Sequence, residues 1–528
     1  MDDVRTLLEQ QPLLALFLTI AIGYLVGEIN VKGFSLGVGA VLFVALAMGW
    51  FAPKAVPAAT LGTIGLAFFL YAVGIQYGKQ FFLGLKSANG RRANLLALAG
   101  VLSAGLMSLL VARVAGLPLD LALGLFAGAG TSTPTLQAAI ATLGNDDAAV
   151  GYSVAYPFGV AGPILLLYLA SRIWKPKVDV GPARGLAAQE IALRNPEHFG
   201  RTLGEVVGSL PHQVQVVALR TGHHNQPAAD GHVLAEGDVL LVMAPDREVL
   251  ERVRKSLGES AAGRFAKDRS DLDYLRLFVS RPAVVGCAVG DLALPGHKAV
   301  AVAQVRRGDT NILPRPDLVL EFGDRVGLLA HRGDFPVLRQ FFGDSIKGTA
   351  EFSYVSIGLG MALGLLVGAL RIPLPGAGNL SVGLSGVLIV ALVLGNLRRT
   401  GRLNWTIPLS ANLVLRNLGL TLFLAQVGMA SGPKFAAAVT GSGLQMFGLG
   451  AVVVVALVLP VFVIGRVLFR MPYDEVAGIV SGTCGSAVLA YANKVAPTDR
   501  PDVAFAMIYP AATIAKILFV SIVPALLR

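Results

Sequence analysis

Long apolar segments are the feature that most constrains how this chain folds. Twelve of them occur, in two groups of six. The first group lies near residues 13–29, 36–51, 60–78, 94–112, 121–143 and 150–172, and the second near 353–370, 380–397, 410–428, 441–465, 474–494 and 503–526. Each segment approaches the roughly 20 residues that a helix needs to cross a bilayer. The sequence therefore predicts an α-helical membrane protein that inserts into a lipid bilayer.

Residues 175–350, between the two groups, have a different composition. They hold 23 of the 44 Lys and Arg residues, 21 of the 33 Asp and Glu residues and all seven His. This near balance predicts a water-soluble insert between two membrane halves. The membrane halves then carry +9 of the net charge of +11, which reflects membrane orientation and gives no reason to expect a nucleic-acid partner. The two cysteines, Cys287 and Cys484, form no disulfide framework or metal-ligand spacing, so we expect no cofactor.

The two membrane halves are copies of one another. The string LGVGAVLFVALAMG at 36–49 matches VGLSGVLIVALVLG at 382–395 in seven of fourteen positions. TIGLAFFLYAVGIQYG at 63–78 matches NLGLTLFLAQVGMASG at 417–432 in seven of sixteen. A duplicated membrane unit of this size is typical of secondary transporters.

Clusters of basic residues predict the orientation of the halves. Basic clusters lie mostly on the cytoplasmic side, so those at 79–92, 172–177 and 398–402 should all be cytoplasmic. Five crossings in each half place all three clusters on that side, whereas six crossings do not. Segment 121–143 is the one that we expect not to cross the membrane fully, because helix-breaking residues interrupt its centre, GAGTSTPTLQ. Its counterpart 474–494 is interrupted in the same way by SGTCGSAV. We therefore expect two inverted repeats, each of about five transmembrane helices plus one re-entrant hairpin or broken helix. The insert is then cytoplasmic and both termini are outside.

The insert is itself duplicated at an offset of 86 residues. Arg220 aligns with Arg306, and the Gly-Asp pair at 237–238 aligns with that at 323–324. Short β-branched runs, a Gly-Asp turn, a further strand and a closing helix predict two small α/β cytoplasmic domains. The expected division of the chain is membrane repeat 1 at 1–174, the two domains at 175–262 and 263–349, and membrane repeat 2 at 350–528.

Charged residues inside the apolar segments are scarce, and they are basic. The twelve acidic residues of the membrane halves lie at segment ends or in loops, and these halves contain no His. Arg416 and Lys516 lie within segments, where an ionisable group costs roughly 2.5 to 3.5 kcal/mol and so indicates function. This pattern predicts a small anionic or zwitterionic substrate. Two alternatives remain: Arg416 could reach lipid headgroups, and Lys516 could bind backbone carbonyls of a broken helix.

The interruptions of the two segments that do not fully cross the membrane, 121–143 and 474–494, supply further candidate substrate-binding residues. They are Gly130, Thr131, Ser132, Thr133 and Pro134 in the first half, and Thr483, Cys484, Gly485 and Ser486 in the second. Thr133 before Pro134 predicts an N-cap and a first-turn proline, and a half-helix beginning there would aim free N–H groups at a cavity. Such a site suits a carboxylate. The alternative is a surface of small residues used for helix packing.

Three further pairs of residues complete the set of candidates. Tyr156 and Tyr509 each precede a proline, and either line the cavity or bond near a helix kink. The GxxxG strings at 23–27 and 364–368 predict close helix packing, within a chain or between the chains of a homodimer. The histidine pair at 223–224 suggests a small regulatory ligand on the insert.

Five strings, taken together, resemble the aspartate:alanine exchanger family. They are FFLYAVGIQYGKQFF at 68–82, GTSTPTLQAA at 130–139, SANLVLRNLGLTLFLAQVGMASG at 410–432, VAGIVSGTCGSAVLAYAN at 476–493 and YPAATIAKIL at 509–518. The resemblance implies exchange or export of small carboxylates such as aspartate, alanine or succinate in the bacterial inner membrane. It also implies paired TrkA-C-like domains in the insert. The second tip departs from the family by carrying CGSA at 484–487, where related chains tend to have Thr and Pro.

Two other functions are open to a chain with these features. A ligand-regulated ion channel is suggested by the insert, but no selectivity-filter sequence is present. A cation/proton antiporter is suggested by the inverted repeats, but no buried acid is predicted. The preferred hypothesis is a carboxylate or amino-acid transporter in which the hairpins move as one body against a dimeric scaffold.

Overall fold

The computed structural model divides the chain into a helical unit and an α/β unit. The helical unit comprises Met1–Val180, Tyr354–Leu397 and Asn412–Arg528, and the α/β unit comprises Gly181–Ser353 and Arg398–Ala411. The structure describes residues 2–29, 37–174, 186–211, 214–261, 263, 265, 268–296, 300–307, 310–345, 353–374, 378–401, 403–496, 498 and 500–527. The histidine pair at 223–224 lies within these residues, at the β2–β3 turn of the α/β unit.

The helical unit contains two successive sets of helices. The first set is α1 Asp2–Gln10, α2 Pro12–Gly27, α3 Ala40–Phe51, α4 Ala59–Lys86, α5 Ala88–Ala115, α6 Leu119–Ala129, α7 Thr133–Leu143 and α8 Ala148–Trp174. The second set is α12 Tyr354–Gly368, α13 Ser385–Leu397, α14 Leu409–Val463 with a π-helical turn at Ile464–Leu468, α15 Tyr473–Cys484, α16 Ser486–Val495 and α17 Arg500–Leu527. A short hairpin, β10 Arg371–Leu374 and β11 Gly378–Ser381, follows α12.

Six stretches of helix are long and apolar enough to cross a membrane in the part of the chain that the structure describes. They are Ala59–Lys86, Ala88–Ala115, Ala148–Trp174, Leu409–Ala437, Gln445–Leu468 and Arg500–Leu527. Helices α1 and α2 together pass the same test but are bent by 109°. Shorter apolar helices include α6, α12 and α13. The protein is therefore a multi-pass membrane protein.

The apolar segments predicted at 410–428 and 441–465 correspond to the two candidate spans Leu409–Ala437 and Gln445–Leu468, and both lie in one helix, because the backbone between them is helical as well. A Cβ atom on Gly432 would lie 2.5 Å from the Leu46 carbonyl oxygen. This close packing against α3 holds the segment in a helical path, and a proline is tolerated where neighbouring helices support the backbone.

Two helices are interrupted where the sequence predicts it. α6 ends at Ala129 and α7 begins at Thr133, while Gly485 alone separates α15 from α16. The backbone at the breaks is left-handed, with φ of 44° at Thr131 and 112° at Gly485. Gly485 adopts this conformation without a steric penalty, whereas Thr131 is a β-branched residue in a region that such residues rarely occupy.

Glycines set the distances between the helices. Cβ atoms on Gly23 and Gly364 would lie 2.6 Å from the Cα atoms of Val41 and Val387, so both GxxxG strings pack within the chain, α2 on α3 and α12 on α13. Along the contact of α4 with α14, Gly62 faces Gln426 and Gly65 faces Gly419. Residue numbers rise on one helix as they fall on the other, so these two equivalent helices are antiparallel.

The α/β unit consists of two similar modules. Module 1 contains β1 Ala187–Leu193, α9 Leu203–Ser209, β2 Gln215–Thr221, β3 His224–Pro227, β4 Val239–Ala244, α10 Arg247–Leu257 and β5 Gly258–Ser260. Module 2 contains β6 Asp273–Phe278, β7 Ala301–Arg307, β8 Thr310–Ile312, β9 Arg325–Ala330 and α11 Phe335–Phe342. Single-turn 3₁₀ helices occur at Pro196–His198, Val289–Asp291 and Arg332–Asp334, and the strand pair β12 Arg399–Thr400 and β13 Leu403–Asn404 belongs to the same unit.

The sheets confirm the internal duplication. Their antiparallel strand orders, β3-β2-β4-β1-β5 and β8-β7-β9-β6, are equivalent. Each sheet has one register shift, between Val216 and Ala218 in β2 and between Val302 and Gln304 in β7, and these positions differ by the same offset of 86 residues. A bulge kept at equivalent positions is a strong sign of a duplicated unit, because bulges are conserved structural features.

Candidate functional site

The tips of the two broken helices are in contact. The Thr131 hydroxyl donates a hydrogen bond to the Cys484 carbonyl. A Cβ atom placed on Gly485 would lie 2.8 Å from Thr131 Oγ1. The structure therefore brings together Gly130–Pro134 and Thr483–Ser486, the two sets of residues that the sequence predicts as one site although they are some 350 positions apart.

Lys516 of α17 joins the same two tips. Its ammonium donates to the Gly130 carbonyl at 3.0 Å and to the Thr483 carbonyl, and its side chain is buried. Gly130 and Thr483 lie at the C-terminal ends of α6 and α15, where carbonyls lack intrahelical partners. Lys516 therefore binds backbone carbonyls of the two broken helices, which is one of the two alternatives given above for the basic residues.

The N-terminal ends of the second half-helices point into the same break. Neither α7 nor α16 has a side-chain cap, so their first-turn amides keep no acceptor within the helix. The N-cap assigned to Thr133 is wrong by one residue. Ser132 holds that position, but its hydroxyl bonds Thr135 Oγ1 at 2.6 Å because a neighbouring hydroxyl competes for it.

The first turn of α7 is more enclosed than that of α16. Ser132, Thr133, Pro134 and Thr135 are buried, and the Thr133 hydroxyl lies 3.2 Å from that of Tyr152. Thr135 and Tyr152 are site residues that the sequence reasoning missed. Tyr152 lies four residues before Tyr156, one helical turn away, and this spacing is the signal that would have identified it.

The first turn of α16 is open. Ser486 is exposed, as is the alanine that follows it, whereas Thr483 and Cys484 before the break are buried. The amide groups at the start of α16 are therefore accessible in this conformation.

Arg416 contacts polar side chains of α4 rather than extending to the end of its own helix. Its guanidinium donates to Gln76 Oε1 at 3.2 Å and to the Tyr77 hydroxyl at 3.5 Å, and the side chain is half-buried. Asn412 donates to the same Gln76 oxygen at 3.2 Å. Gln76, Tyr77 and Asn412 were not predicted, because uncharged polar residues within apolar segments give no distinctive sequence signal.

Tyr156 and Tyr509 are half-buried members of aromatic clusters. The Tyr156 ring lies 5.5 Å from that of Tyr152, and the Tyr509 ring lies 6.1 Å from that of Tyr77 and 5.0 Å from that of Phe505. Among the described residues, neither hydroxyl has a hydrogen-bond partner, so a hydroxyl bonded near the proline kink is not what the structure shows. The structure shows both rings packed against other aromatic rings, and a cavity-lining role for them stays a prediction.

The site offers donors for an anion and shows no set of metal ligands. No group of three or more His, Cys, Asp or Glu side chains that could hold a metal is found in the residues that the structure describes. The groups at the tips are amides at half-helix N-termini and hydroxyls, and the Arg416 guanidinium lies beside Gln76 and Tyr77 of α4. This arrangement can bind a carboxylate by charge-assisted hydrogen bonds.

Comparison with known proteins gives a family match for both units. A family model described as Predicted Permease Membrane Region, with the short name Asp-Al_Ex, matches residues 15–171 and 356–525. A TrkA-C domain model matches residues 276–343, which lie in module 2. Module 1 is similar to that matched module through the internal repeat.

Full-length relatives are also found. An uncharacterized transporter of Geobacter sulfurreducens is 38% identical over 99% of this chain and 100% of its own length. An uncharacterized transporter of Symbiobacterium thermophilum is 38% identical over 99% of both chains. One from Corynebacterium efficiens is 36% identical over 96% of this chain and 97% of its own.

Proposed function

This chain belongs to the aspartate:alanine exchanger family of permeases, and from that premise we propose that it exchanges or exports small carboxylates or amino acids of the aspartate, alanine and succinate class. The family and the relatives make it a transporter. The substrate class, the mechanism and the bacterial inner-membrane location are the proposal. The observation that carries it is the arrangement of charges around the two touching tips.

The charge balance at the tips favours an anion. A helix carries about half a positive charge at its N-terminus and about half a negative charge at its C-terminus. Lys516 donates to the C-terminal carbonyls of α6 and α15, so its full positive charge offsets those two negative ends. The two N-terminal ends, of α7 and α16, remain uncompensated and together provide about one positive charge. Arg416 adds a second, which suits a dicarboxylate or an amino acid such as aspartate.

The tips and their neighbouring helices form the moving body of the proposed mechanism. α7 packs on α17, and α16 packs on α8, so each tip is held by a helix of the other repeat. Tips interleaved in this way would move together, as an elevator-type mechanism requires. The proposed dimeric scaffold cannot use the GxxxG glycines, which pack within the chain, and would use the exposed apolar faces of α2 and α12.

The inverted arrangement of the repeats is part of the same proposal. Support comes from the antiparallel packing of the equivalent helices α4 and α14 around Gly65 and Gly419. Asp147 also forms an ion pair with Lys434, and charge counting predicts that both lie outside. Cysteines introduced at 120 and 146 should react with an impermeant thiol reagent from the same outer face. Labelling from opposite faces would rule out the inverted model.

Counterflow in proteoliposomes tests the transport proposal. Purified protein is reconstituted, the vesicles are preloaded with aspartate, alanine or succinate in turn, and uptake of each labelled compound is measured. We expect uptake to depend on a preloaded carboxylate or amino acid and to be absent from protein-free vesicles. Uptake of a cation in place of all three compounds would overturn the proposed substrate class.

A further inference from the structure

Repeat 2 contains a short β-hairpin that has no counterpart in repeat 1. The offset between equivalent residues of the repeats is 346 before this point and 354 after it, so repeat 2 has eight extra residues here. α3 and α13 end at equivalent positions, Phe51 and Leu397. The extra residues therefore form the β12–β13 hairpin and an additional first turn of α14, relative to α4. Both additions come directly before Arg416.

The hairpin packs on module 2 and belongs to the α/β unit. Arg398 Nη2 forms an ion pair with Glu321 Oε1 at 2.9 Å. Arg399 Nη1 donates to the carbonyls of Pro282 at 3.3 Å and Ala283 at 3.2 Å. The side chain of Arg398 is only 15% exposed, so its charge is largely removed from water and depends on the carboxylate beside it.

Module 1 does not offer the same surface. At the repeat offset of 86, Ala235 stands in the place of Glu321 and provides no carboxylate. Arg201 stands in the place of Cys287, whose sulfur lies 4.0 Å from Arg399 Nη1. An arginine at that position would set two like charges against each other. The hairpin and module 2 are therefore matched to one another in charge.

The hairpin is held together internally and leads into α14. The Trp405 amide donates to the Arg398 carbonyl at 2.9 Å, and its indole N–H donates to Thr400 Oγ1 at 2.9 Å. The Trp405 side chain is buried. α14 begins at Leu409, four residues later. Because these contacts tie the end of the hairpin to its start, docking of the hairpin fixes the residues that lead into α14.

The first two turns of α14 carry polar side chains of the candidate site. Asn412 and Arg416 lie one turn apart and face the same way, and both donate to Gln76 Oε1 at 3.2 Å. Arg416 is only about 10 Å along the helix axis from Leu409. A displacement of the start of α14 therefore shifts the Arg416 guanidinium. Repeat 1, which has no such hairpin, has neither polar side chain at the equivalent positions.

We propose that Arg398 and Arg399 are positioning residues for the transport site. By docking the hairpin on module 2 they fix the start of α14, and through it the guanidinium of Arg416. This inference rests on the proposed role of Arg416 in binding the carboxylate of the substrate. It gives the insert a mechanical part in transport, because any movement of the docked hairpin reaches Arg416 along one continuous helix.

Three double substitutions test the proposal. The undocked variant, Arg398→Gln with Arg399→Gln, removes both guanidinium groups from the hairpin. The conservative variant, Arg398→Lys with Arg399→Lys, keeps both charges but loses the paired donors. The control, Arg247→Gln with Arg252→Gln, removes two charges from exposed arginines of α10 in module 1.

Thiol labelling of Cys287 measures docking without reference to transport. This thiol is half-buried and lies beside the hairpin, whereas Cys484, the other cysteine of the chain, is buried. Full-length protein in detergent is treated with a thiol reagent. Labelling of Cys287 should be at least about threefold faster in the undocked variant, and within about twofold of wild type in the control, because reactivity follows exposure. An unchanged rate in the undocked variant overturns the proposal.

Initial rates of counterflow measure positioning. In the undocked variant the apparent KM for aspartate should rise about threefold to tenfold, and less for alanine, because a displaced Arg416 loses part of its charged hydrogen bonding. The conservative variant should lie between the undocked variant and wild type. Adding Arg416→Gln to the undocked variant should raise the KM no further than Arg416→Gln alone, because the hairpin acts through that residue.

The outcomes separate this proposal from the proposed function. If the wild type exchanges aspartate but the undocked variant has the same KM, or if its effect adds in full to that of Arg416→Gln, the positioning role fails while transport stands. Equal changes for aspartate and alanine also contradict it, because a purely structural role would affect both. If the wild type shows no counterflow, the transport proposal fails, and labelling of Cys287 decides whether the hairpin docks.

Discussion

The two membrane repeats share broken helices but differ in what surrounds each tip. Repeat 1 encloses its half-helix N-terminus with the buried hydroxyls of Ser132, Thr133 and Thr135, whereas repeat 2 leaves the start of α16 exposed at Ser486. Repeat 2 alone supplies the cations. By the repeat alignment, Gly62 stands where repeat 2 has Arg416, and Pro163 stands where it has Lys516.

This difference suggests how a duplicated fold could supply two unlike halves of the proposed binding site. The backbone of each repeat provides a half-helix with uncompensated amides, which needs only a break in the helix. The side chains have diverged, so one repeat offers hydroxyls and the other offers positive charge. Substitutions that remove either a hydroxyl of repeat 1 or a positive charge of repeat 2 measure how much each repeat contributes to transport and to stability.

The largest effect is expected at Lys516. Lys516→Met leaves the Gly130 and Thr483 carbonyls buried without a donor, at a cost of about 1 to 3 kcal/mol each. Exchange should fall at least about 100-fold, and equally for aspartate and alanine, because both need the tips held together. Lys494→Met, at the exposed end of α16, is the matched control and should retain exchange. A loss confined to aspartate would show that Lys516 acts on the substrate's charge instead.

Arg416 should show the selective effect that Lys516 lacks. In Arg416→Gln the apparent KM for aspartate should rise about tenfold or more, with a small change for zwitterionic alanine, because a charged hydrogen bond contributes about 1.5 to 3 kcal/mol. Arg416→Lys should lose less, since it keeps the charge but not the paired donors. Initial rates of counterflow give both constants. Arg113→Gln, on an exposed residue of α5, is the control, and equal changes for the two substrates would contradict a charge-selective role.

Gly485 tests whether the second tip depends on its left-handed backbone. Gly485→Ala combines a φ of 112° with a Cβ atom 2.8 Å from Thr131 Oγ1, so we expect a loss of about 1 to 3 kcal/mol in stability. Thermal unfolding in detergent measures it. Gly448→Ala is the control, because a Cβ there meets nothing within 4 Å and helix propensity predicts a gain of at most about 1 kcal/mol. Similar unfolding temperatures for the two variants would refute a strained tip.

The smallest effect concerns the hydrogen bond between the tips. Thr131→Val keeps the shape and the left-handed backbone but removes the donor to the Cys484 carbonyl, at a cost of about 0.5 to 1.5 kcal/mol. Thermal unfolding should show the loss. Thr142 donates its hydroxyl to the Ala138 carbonyl of its own helix, so Thr142→Val should change stability less. A larger loss in the control would mean that the contact between the tips contributes nothing.

Local chemistry explains which features could be predicted. Hydrophobic length identified the six stretches that are long enough to span a membrane among the described residues, and Gly, Thr, Ser and Pro in the middle of apolar segments located the breaks at Gly130–Ser132 and Gly485. The sequence did not reveal that the helix continues through Pro433, where Gly432 packs on α3 in a tertiary contact. The module strands and their turn followed from β-branched runs and Gly-Asp pairs.

The sequence by itself determined the membrane class, the duplication, the positions of the breaks and the presence of two cations within apolar segments, because these depend on hydrophobicity and order along the chain. Only the tertiary structure decided what the cations contact. Lys516 binds carbonyls that lie 386 and 33 residues away along the chain. Every residue carries a carbonyl, so an acceptor of this kind has no sequence signature. It becomes a specific partner only when two helices end against the same ammonium group, as α6 and α15 do at Lys516.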